Sequence, residues 1–526
     1  MGFYVNPGNA NFKVIKKDDY VDKTGLISVI NQSICTRRML SCVSRPRRFG
    51  KSYAAHMLAA YYDCSVDSHE LFDGLEISRD PSYEENINHY HVLYLDITGF
   101  MSDASLEELP AYITERIIKD LNRVFPDIEP ENSLREYLSS AVDATGRQFI
   151  AIIDEWDAPI RAARSTADTQ LVFLEFLRSL FKSDITRKVF AAAYMTGILP
   201  IKKDGSQSAI SEFDEYTILD PGDFATYVGF TEQEVEHICK KNGVSLEKMK
   251  EWYNGYTIYL NEDEKISIYN PNSVMKAAYR GRFRSYWVFS SAVNGAADYI
   301  NLDFDGLGEA AEKLAAGLEV SYNTTKFQND LTSFQSANDV LTLLTHFGYL
   351  TYDMDRCVGW LPNHEIKDEF GGMIHCITHA ETIRRIKESE QLLADIIMGK
   401  EAAVAENLQN IHMRESAPVW YNNEQALRAV VKLAFFTYRD HYIKLEELPG
   451  GTGYVDIAYI PKKYDPSPAL IIELKAGGTP EEAIGQIRSR NYPASVDGLG
   501  TSVVLVAITY DKADKTKSHH CRIEKM

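Results

Sequence analysis

Asp456, Glu473 and Lys475 are the residues of this chain whose types and spacing point most directly to chemistry. Asp456 lies in the run Val455-Asp456-Ile457-Ala458-Tyr459-Ile460, and the other two lie in Ala469-Leu470-Ile471-Ile472-Glu473-Leu474-Lys475. Both runs are apolar and rich in β-branched residues, as neighbouring strands are, yet each carries an acid where a buried strand should have none. Two such carboxylates suit Mg²⁺, which keeps several waters, takes one or two protein carboxylates and leaves room for a phosphate. Lys475 shares a strand face with Glu473, because side chains alternate with period 2. An ammonium there would orient a metal-bound water or neutralise charge at a phosphodiester. A solvated Glu-x-Lys pair on an edge strand is the alternative that this spacing leaves open.

Two helices flank these strands. In Asn422 to Phe436, Asn422 or Asn423 would cap a helix whose Leu427, Val431 and Phe435 form an apolar stripe. Glu424 sits on that stripe and needs a partner, which either a metal shared with Asp456 or the positive end of the helix dipole would supply. After Lys475, Pro480-Glu481-Glu482-Ala483-Ile484-Gly485-Gln486-Ile487 opens a second helix, from which Gln486 could reach the same cleft. Helix, strand with Asp, strand with Glu-x-Lys, helix with Gln is an order that resembles the PD-(D/E)XK nuclease superfamily over about residues 405 to 526. The resemblance implies Glu424 and Gln486 as accessory residues around Asp456, Glu473 and Lys475. One departure stands out. Relatives often carry Arg in a G-R-x-D pattern before the Asp, and this chain has Gly453-Tyr454-Val455-Asp456, so a phosphate contact from that Arg is missing.

Near the other end, Arg38 to Val43 reads as a strand, Ser44 to Gly50 as a loop, and Lys51 to Leu58 as the start of a helix. Gly50-Lys51-Ser52 between strand and helix is the context in which a phosphate-binding loop has meaning. Backbone N–H groups of Arg47, Arg48, Phe49 and Gly50 and the helix N-terminus would cradle phosphates, Lys51 would reach the terminal ones, and Ser52 would ligate Mg²⁺. The general rule wants Gly where Arg45 stands, and Pro46 has no N–H, so a basic turn capped by Ser52 is the competing reading. Gln148 to Asp157 adds a continuous apolar strand ending in Asp154-Glu155, as a central parallel strand with a metal-holding acid at its carboxyl end would. Asp154 would hold the metal and Glu155 would polarise the attacking water. Val92 to Asp96 and Val189 to Gly197 fit the same sheet, and Thr196 ends its strand where either a γ-phosphate sensor or a plain turn former would stand.

Tyr20-Val21-Asp22-Lys23-Thr24-Gly25, Arg45-Pro46-Arg47-Arg48-Phe49-Gly50-Lys51-Ser52, Asp154-Glu155-Trp156-Asp157-Ala158-Pro159, Met195-Thr196-Gly197, Trp252-Tyr253-Asn254-Gly255-Tyr256 and Tyr269-Asn270-Pro271-Asn272-Ser273 resemble, in order, the AAA-ATPase-like family. Phe347 to Thr351 and Leu361 to Ile366 continue the likeness, and the R-P-R-R-F-G-K-S loop is its most specific part. Against that family the absent first Gly is no departure, while Trp156 stands where relatives usually have Tyr. The resemblance implies the fold and ATP binding.

The rest of the chain sets bounds. With 526 residues, 45% hydrophobic and 25% charged, it has the composition of a globular protein of about three domains at roughly 150 residues each. We expect an AAA-ATPase-like P-loop domain over residues 1–280 with a lid at about 220–280, a helical connector, with or without a winged element, over 281–404, and the nuclease-like domain over 405–526. Glu232 to Lys250 reads as helical and Trp252 to Ser273 as irregular. No run of about 18 apolar residues suggests a membrane span, and the N-terminus lacks the regions of a signal peptide, so the expected location is cytoplasmic. Seven cysteines with no C-x-x-C pair support neither zinc nor a disulfide framework and read as reduced core thiols. The net charge of −19 argues against tight nonspecific DNA binding, although residues 401–526 carry 15 Lys and Arg against 16 Asp and Glu. No Lys/Arg-rich run interleaved with aromatics is evident. The expected function is an ATP-binding, ATP-hydrolysing α/β protein that controls a Mg²⁺-dependent nuclease acting on DNA or RNA, with homo-oligomers allowed. The alternative is a nucleotide-controlled binding or regulatory module whose nuclease fold does not cut.

Overall fold

The apolar runs of the N-terminal half form one parallel sheet. In the computed structural model its strands are β1 (Leu40–Ser44), β2 (His91–Asp96), β3 (Phe149–Asp154), β4 (Phe190–Gly197) and β7 (Asp214–Tyr216), ordered β2-β3-β4-β1-β7. A short hairpin, β5 (Lys203–Asp204) and β6 (Gln207–Ser208), interrupts the chain before β7. The structure describes all residues except 130, 132, 163–164, 183–184, 202, 205–206, 209, 262, 288–303, 305, 328–330, 332–333, 374–376, 416–426, 429, 432–433, 436–437, 451–452, 463–464, 491–501 and 512–517. β1, β3 and β4 are buried at every position, which is why β3 and β4 read as continuous apolar runs up to their ends, whereas β1 carries Ser41 and Ser44. The helices α1 (Ala10–Lys17), α2 (Gly25–Ser33) and α3 (Lys51–Tyr62) lie in this unit, and α3 buries nine of its twelve residues.

The chain divides into two units, Met1–Ile374 and His375–Met526. The second unit takes in residues 375–404, which the sequence had suggested for the connector.

Within the first unit, the segment read as one helix is two, Glu232–Asn242 and Leu246–Tyr253. The segment expected to be irregular contains a hairpin, β8 (Tyr256–Tyr259) and β9 (Lys265–Ile268). Its period is visible in β8, where Tyr256 and Ile258 are buried and Thr257 and Tyr259 are half-exposed. Asn270 then caps the helix Pro271–Arg280, its side chain accepting from the Ser273 N–H at 3.2 Å. The middle region holds the helices Leu307–Ala315 and Ala337–Phe347 and a small antiparallel sheet of β10 (Val320–Ser321), β11 (Thr351–Asp353) and β12 (Val358–Trp360).

The second unit is built on β13 (Tyr442–Gly450), β14 (Gly453–Pro461), β15 (Ala469–Ala476), β16 (Val503–Tyr510) and β17 (His519–Lys525), in that spatial order. Only the β15–β16 pair is parallel. One apolar cluster covers Ile457, Tyr459, Ile472 and Leu474 with Leu427 and Val431. A separate cluster places Ala483, Ile484 and Ile487 of the helix Pro480–Ser489 on Ala458, Ile471 and Leu505.

The cysteines are not all core thiols, since Cys35 and Cys357 are exposed. Among the described residues no helix is long and apolar enough to cross a membrane.

Candidate functional site

The loop between β1 and α3 turns through Arg48 at φ 66° and Gly50 at φ 95°. A Cβ at Gly50 would meet nothing within 4 Å, so conformation and not space demands glycine at the cap of α3. Arg45, which stands in place of the usual first Gly, is fully buried. Its guanidinium donates to the carbonyls of Ser44 at 2.9 Å, Tyr216 at 3.0 Å and Phe224 at 3.3 Å, tying the loop to β7 and the turn after it. Burial lowers its pKa to about 10, which still leaves it charged at neutral pH.

Lys51 heads α3 with only 4% of its surface exposed, and its Nζ donates to the carbonyls of Arg45 at 3.1 Å and Pro46 at 3.0 Å. An ammonium has three N–H donors, so one remains for a phosphate oxygen. Burial lowers the Lys51 pKa, opposed by the charges of Glu155, Asp157 and Asp154. Asp154 ends β3, is nearly buried, accepts from the Glu155 N–H at 3.0 Å and bonds the Ser52 side chain. Burial pushes its pKa up to about 6, with the Ser52 bond opposing. A cation at Asp154 would offset that desolvation, and Ser52 beside it completes a hard oxygen pair suited to Mg²⁺.

Glu155 occupies the left-handed region at φ 50° and lines the same cavity as Gly50, Lys51 and Ser52. Its carboxylate is held by Arg161 Nη2 at 2.5 Å, and Arg161 Nε bonds Asp157 at 2.7 Å. Asp157 is fully buried and accepts from the N–H groups of Ile198 at 3.1 Å and Leu199 at 2.8 Å, just past the end of β4. A Cβ on Gly197 would come within 2.6 Å of Asp157 Oδ1, so glycine there makes room for the network. The sequence reading had given Asp157 and Arg161 no role. Thr196 is fully buried, donates its hydroxyl to the Val43 carbonyl at 2.9 Å and lies outside the cavity lining.

The cavity encloses about 480 Å³. Its far wall is apolar and aromatic, with Ile15, Tyr20, Val21, Phe230, Met275 and Tyr279. These come from α1 and the segment after it, the region before Glu232 and the helix Pro271–Arg280, elements far apart in the chain that no local pattern links. Arg48 and Phe49 also line it, whereas Arg47 is half-buried near Glu155 and Arg161, and burial lowers its pKa. A polar end with buried ammonium and carboxylate, joined to an aromatic end, matches a nucleoside polyphosphate in size and chemistry.

In the second unit, Ile457 pairs with Ile472, so Asp456 and Glu473 stand opposite each other one step further along β14 and β15. Val455 and Ala458 pack in one cluster while Ile457 and Tyr459 pack in the other, and the β13–β14 register runs unbroken past Asp456. Asp456 accepts from Arg428 Nη2 at 2.6 Å and from the Leu474 N–H at 2.8 Å. Glu473 is 4% exposed and accepts from the Gln486 side chain, as the sequence suggested for that helix. Lys475 is half-exposed on β15, two residues from Glu473. Glu424 lies outside the described residues. Arg428 is the cleft residue that the sequence reading passed over. No group of three or more metal-ligating side chains occurs among the described residues. The two opposed carboxylates are nevertheless the donor type a hard divalent cation takes, and Arg428 neutralises one of them where such a cation would.

This pairing of a parallel-sheet loop site with a mixed-sheet carboxylate cleft defines an α/β protein of two domains. Residues 7–206 match the family described as predicted AAA-ATPase, and residues 402–520 match the PD-(D/E)XK nuclease superfamily. These two matches give the chain the composition of an AAA-ATPase-like region followed by a PD-(D/E)XK nuclease superfamily region. Comparison with curated proteins gives no match. Among solved structures, the Aeropyrum pernix ORC2 protein in its ADPNP-ADP complexes is similar at 10% identity over 70% of this chain and 96% of that one, with a TM-score of 0.32. CDC6P from Pyrobaculum aerophilum is similar at 11% over 69% and 93%, with a TM-score of 0.25. The Aeropyrum pernix ORC1 protein in complex with DNA is similar at 9% over 96% and 90%, with a TM-score of 0.22.

Proposed function

We propose that this protein binds and hydrolyses ATP in the first-unit cavity and that its nucleotide state controls a metal-dependent nuclease centre in the second unit, acting on DNA or RNA. The observation that carries the first half is the convergence of Lys51, Ser52 and Glu155 on one cavity of about 480 Å³, with Asp154 bonded to Ser52 behind it. Mg²⁺, held by Ser52 and Asp154, would neutralise charge between the terminal phosphates. The loop N–H groups of Arg47 to Gly50 and the α3 N-terminus bind phosphate oxygens, and Lys51 donates its third N–H to the terminal one. Glu155 orients and polarises the attacking water, while Arg161, anchored on Asp157, fixes where the Glu155 carboxylate can stand. Thr196 acts through the end of β4 and not by direct contact, since its hydroxyl is engaged with Val43.

In the second unit, Asp456 and Glu473 would hold Mg²⁺, which would supply an activated water for phosphodiester hydrolysis. Gln486 orients Glu473, and Lys475 stabilises charge on the phosphate. A second reading, a regulatory module that does not cut, is favoured by the Arg428 pair on Asp456 and by Tyr454 in place of the Arg of relatives. The test is one assay of the purified chain on single- and double-stranded DNA and RNA with Mg²⁺ or Mn²⁺, with and without ATP, with phosphate release followed in parallel. Metal-dependent cleavage whose rate depends on ATP supports the proposal. Nucleic-acid binding without cleavage under any of these conditions would replace it with the second reading.

A further inference from the structure

The helix Pro271–Arg280 runs into Gly281-Arg282-Phe283-Arg284-Ser285-Tyr286, an arginine and aromatic alternation that corrects the expectation of no such run in this chain. Arg280, Arg282 and Arg284 are exposed, and none pairs with a carboxylate among the described residues. Unpaired cations clustered in a chain of net charge −19 go against its overall balance. The segment is held in place. Tyr253 and Tyr286, both buried, donate their hydroxyls to the backbone carbonyls of Arg284 at 2.9 Å and Arg282 at 2.8 Å. The Arg280 and Arg284 guanidiniums lie over the Tyr286 ring at 5.7 and 5.3 Å from its centroid, which orients them without neutralising them.

Arg282, Arg284 and Lys248 line an open depression of about 500 Å³ together with Phe283 and Trp252. Phe283 is half-buried, stacks on Tyr253 at 6.4 Å, and has the Lys248 ammonium 5.9 Å above its ring. The one acid of the depression, Glu251, faces His364 at 3.3 Å. We propose that this depression is a docking surface for single-stranded nucleic acid, with Lys248, Arg282 and Arg284 on successive phosphates and Phe283 and Trp252 as platforms for unpaired bases. Cations alone would suit any polyanion, but anchored aromatic faces between them suit bases that are free to stack, and in a duplex those faces are covered. The surface stands on these residues and not on the nuclease reading, and the two can fail separately.

The test measures binding of the full-length protein to labelled oligothymidylate and oligouridylate by fluorescence anisotropy in EDTA, across a salt series, so that no metal-dependent cleavage intervenes. Three phosphate contacts predict a slope of log K against log salt of about −2 for a single strand, falling to about −0.7 in the Arg282→Gln/Arg284→Gln protein. Because those side chains are exposed and the tyrosines bond the backbone, this variant keeps its melting temperature. Phe283→Leu, which keeps apolar volume, weakens binding about tenfold at unchanged slope. The tighter of the two oligomers identifies DNA or RNA as the partner. Absence of salt-dependent binding, a wild-type slope in the double variant, or equal competition by duplex overturns the proposal.

Discussion

Both candidate sites place an arginine on a functional carboxylate, yet on different ones. In the first unit Arg161 clamps Glu155, the acid proposed to orient water, and leaves Asp154 to Ser52. In the second unit Arg428 clamps Asp456, a metal-ligand candidate itself. The first arrangement is anchored deeply, since Asp157 beneath Arg161 is fully buried with two backbone donors, and so it fixes a geometry. In the second the arginine is the more exposed of the two, 20% against 9% for Arg161, while Asp456 at 14% is less exposed than Glu155 at 24%. On the proposed roles, an arginine on the water-orienting acid would position it, whereas an arginine on a metal ligand would compete with the metal.

The largest effects should come from breaking the second site. Asp456→Ala, Glu473→Ala and Lys475→Ala are each expected to abolish cleavage, with double variants adding little, because groups that act as one unit are strongly non-additive. Metal titration separates them, for the two carboxylate variants lose metal affinity while Lys475→Ala keeps it. Arg428→Gln sharpens the contrast. Freed of its guanidinium, Asp456 should bind Mn²⁺ more tightly by calorimetry, and weaker binding would show that Arg428 supports the ligand instead of competing for it.

In the first site, Lys51→Ala is expected to weaken ATP binding by roughly 1.5 to 3 kcal/mol, the loss of a charge-assisted contact, as read by calorimetry. Equal affinity in both proteins would remove Lys51 from the site. Glu155→Gln should keep ATP affinity and slow turnover. Arg161→Ala should slow turnover as well, but also lower the melting temperature, because it leaves buried Asp157 without its cation at a cost of about 3 kcal/mol.

The smallest effect concerns pH. Glu390, facing His441 at 3.8 Å, and Asp465, hydrogen-bonded to it at 3.1 Å, raise its pKa to about 9. A pKa raised above the ordinary value of 6.5 means that the folded state binds the extra proton more tightly, so the stabilisation is complete below about pH 6.5 and is lost as pH rises through about 9. Because His441 is 40% exposed, less than about 1 kcal/mol is expected, and His441→Gln should flatten that part of a thermal-melting pH profile.

The strands and the loops that follow them were legible in the sequence by themselves, since β3 and β4 bury both faces and leave continuous apolar runs with polar residues at their ends. Glu473, Lys475 and Gln486 were legible for a similar reason, being set by strand period and a short turn into a capped helix. The hairpin β8–β9 was hidden among turn residues, and the arginine run at 280–284 was readable but eclipsed by the overall charge. Tertiary structure alone decided what surrounds those ends. The apolar wall of the cavity joins Tyr20, Phe230 and Tyr279 across long stretches of chain, and Arg45 replaces a glycine by bonding carbonyls at positions 216 and 224. The arginines on Glu155 and Asp456 belong to the same category. Local spacing can state which residue types are near in sequence, but a buried charge chooses its partner by desolvation, and only packing determines which opposite charge is within reach.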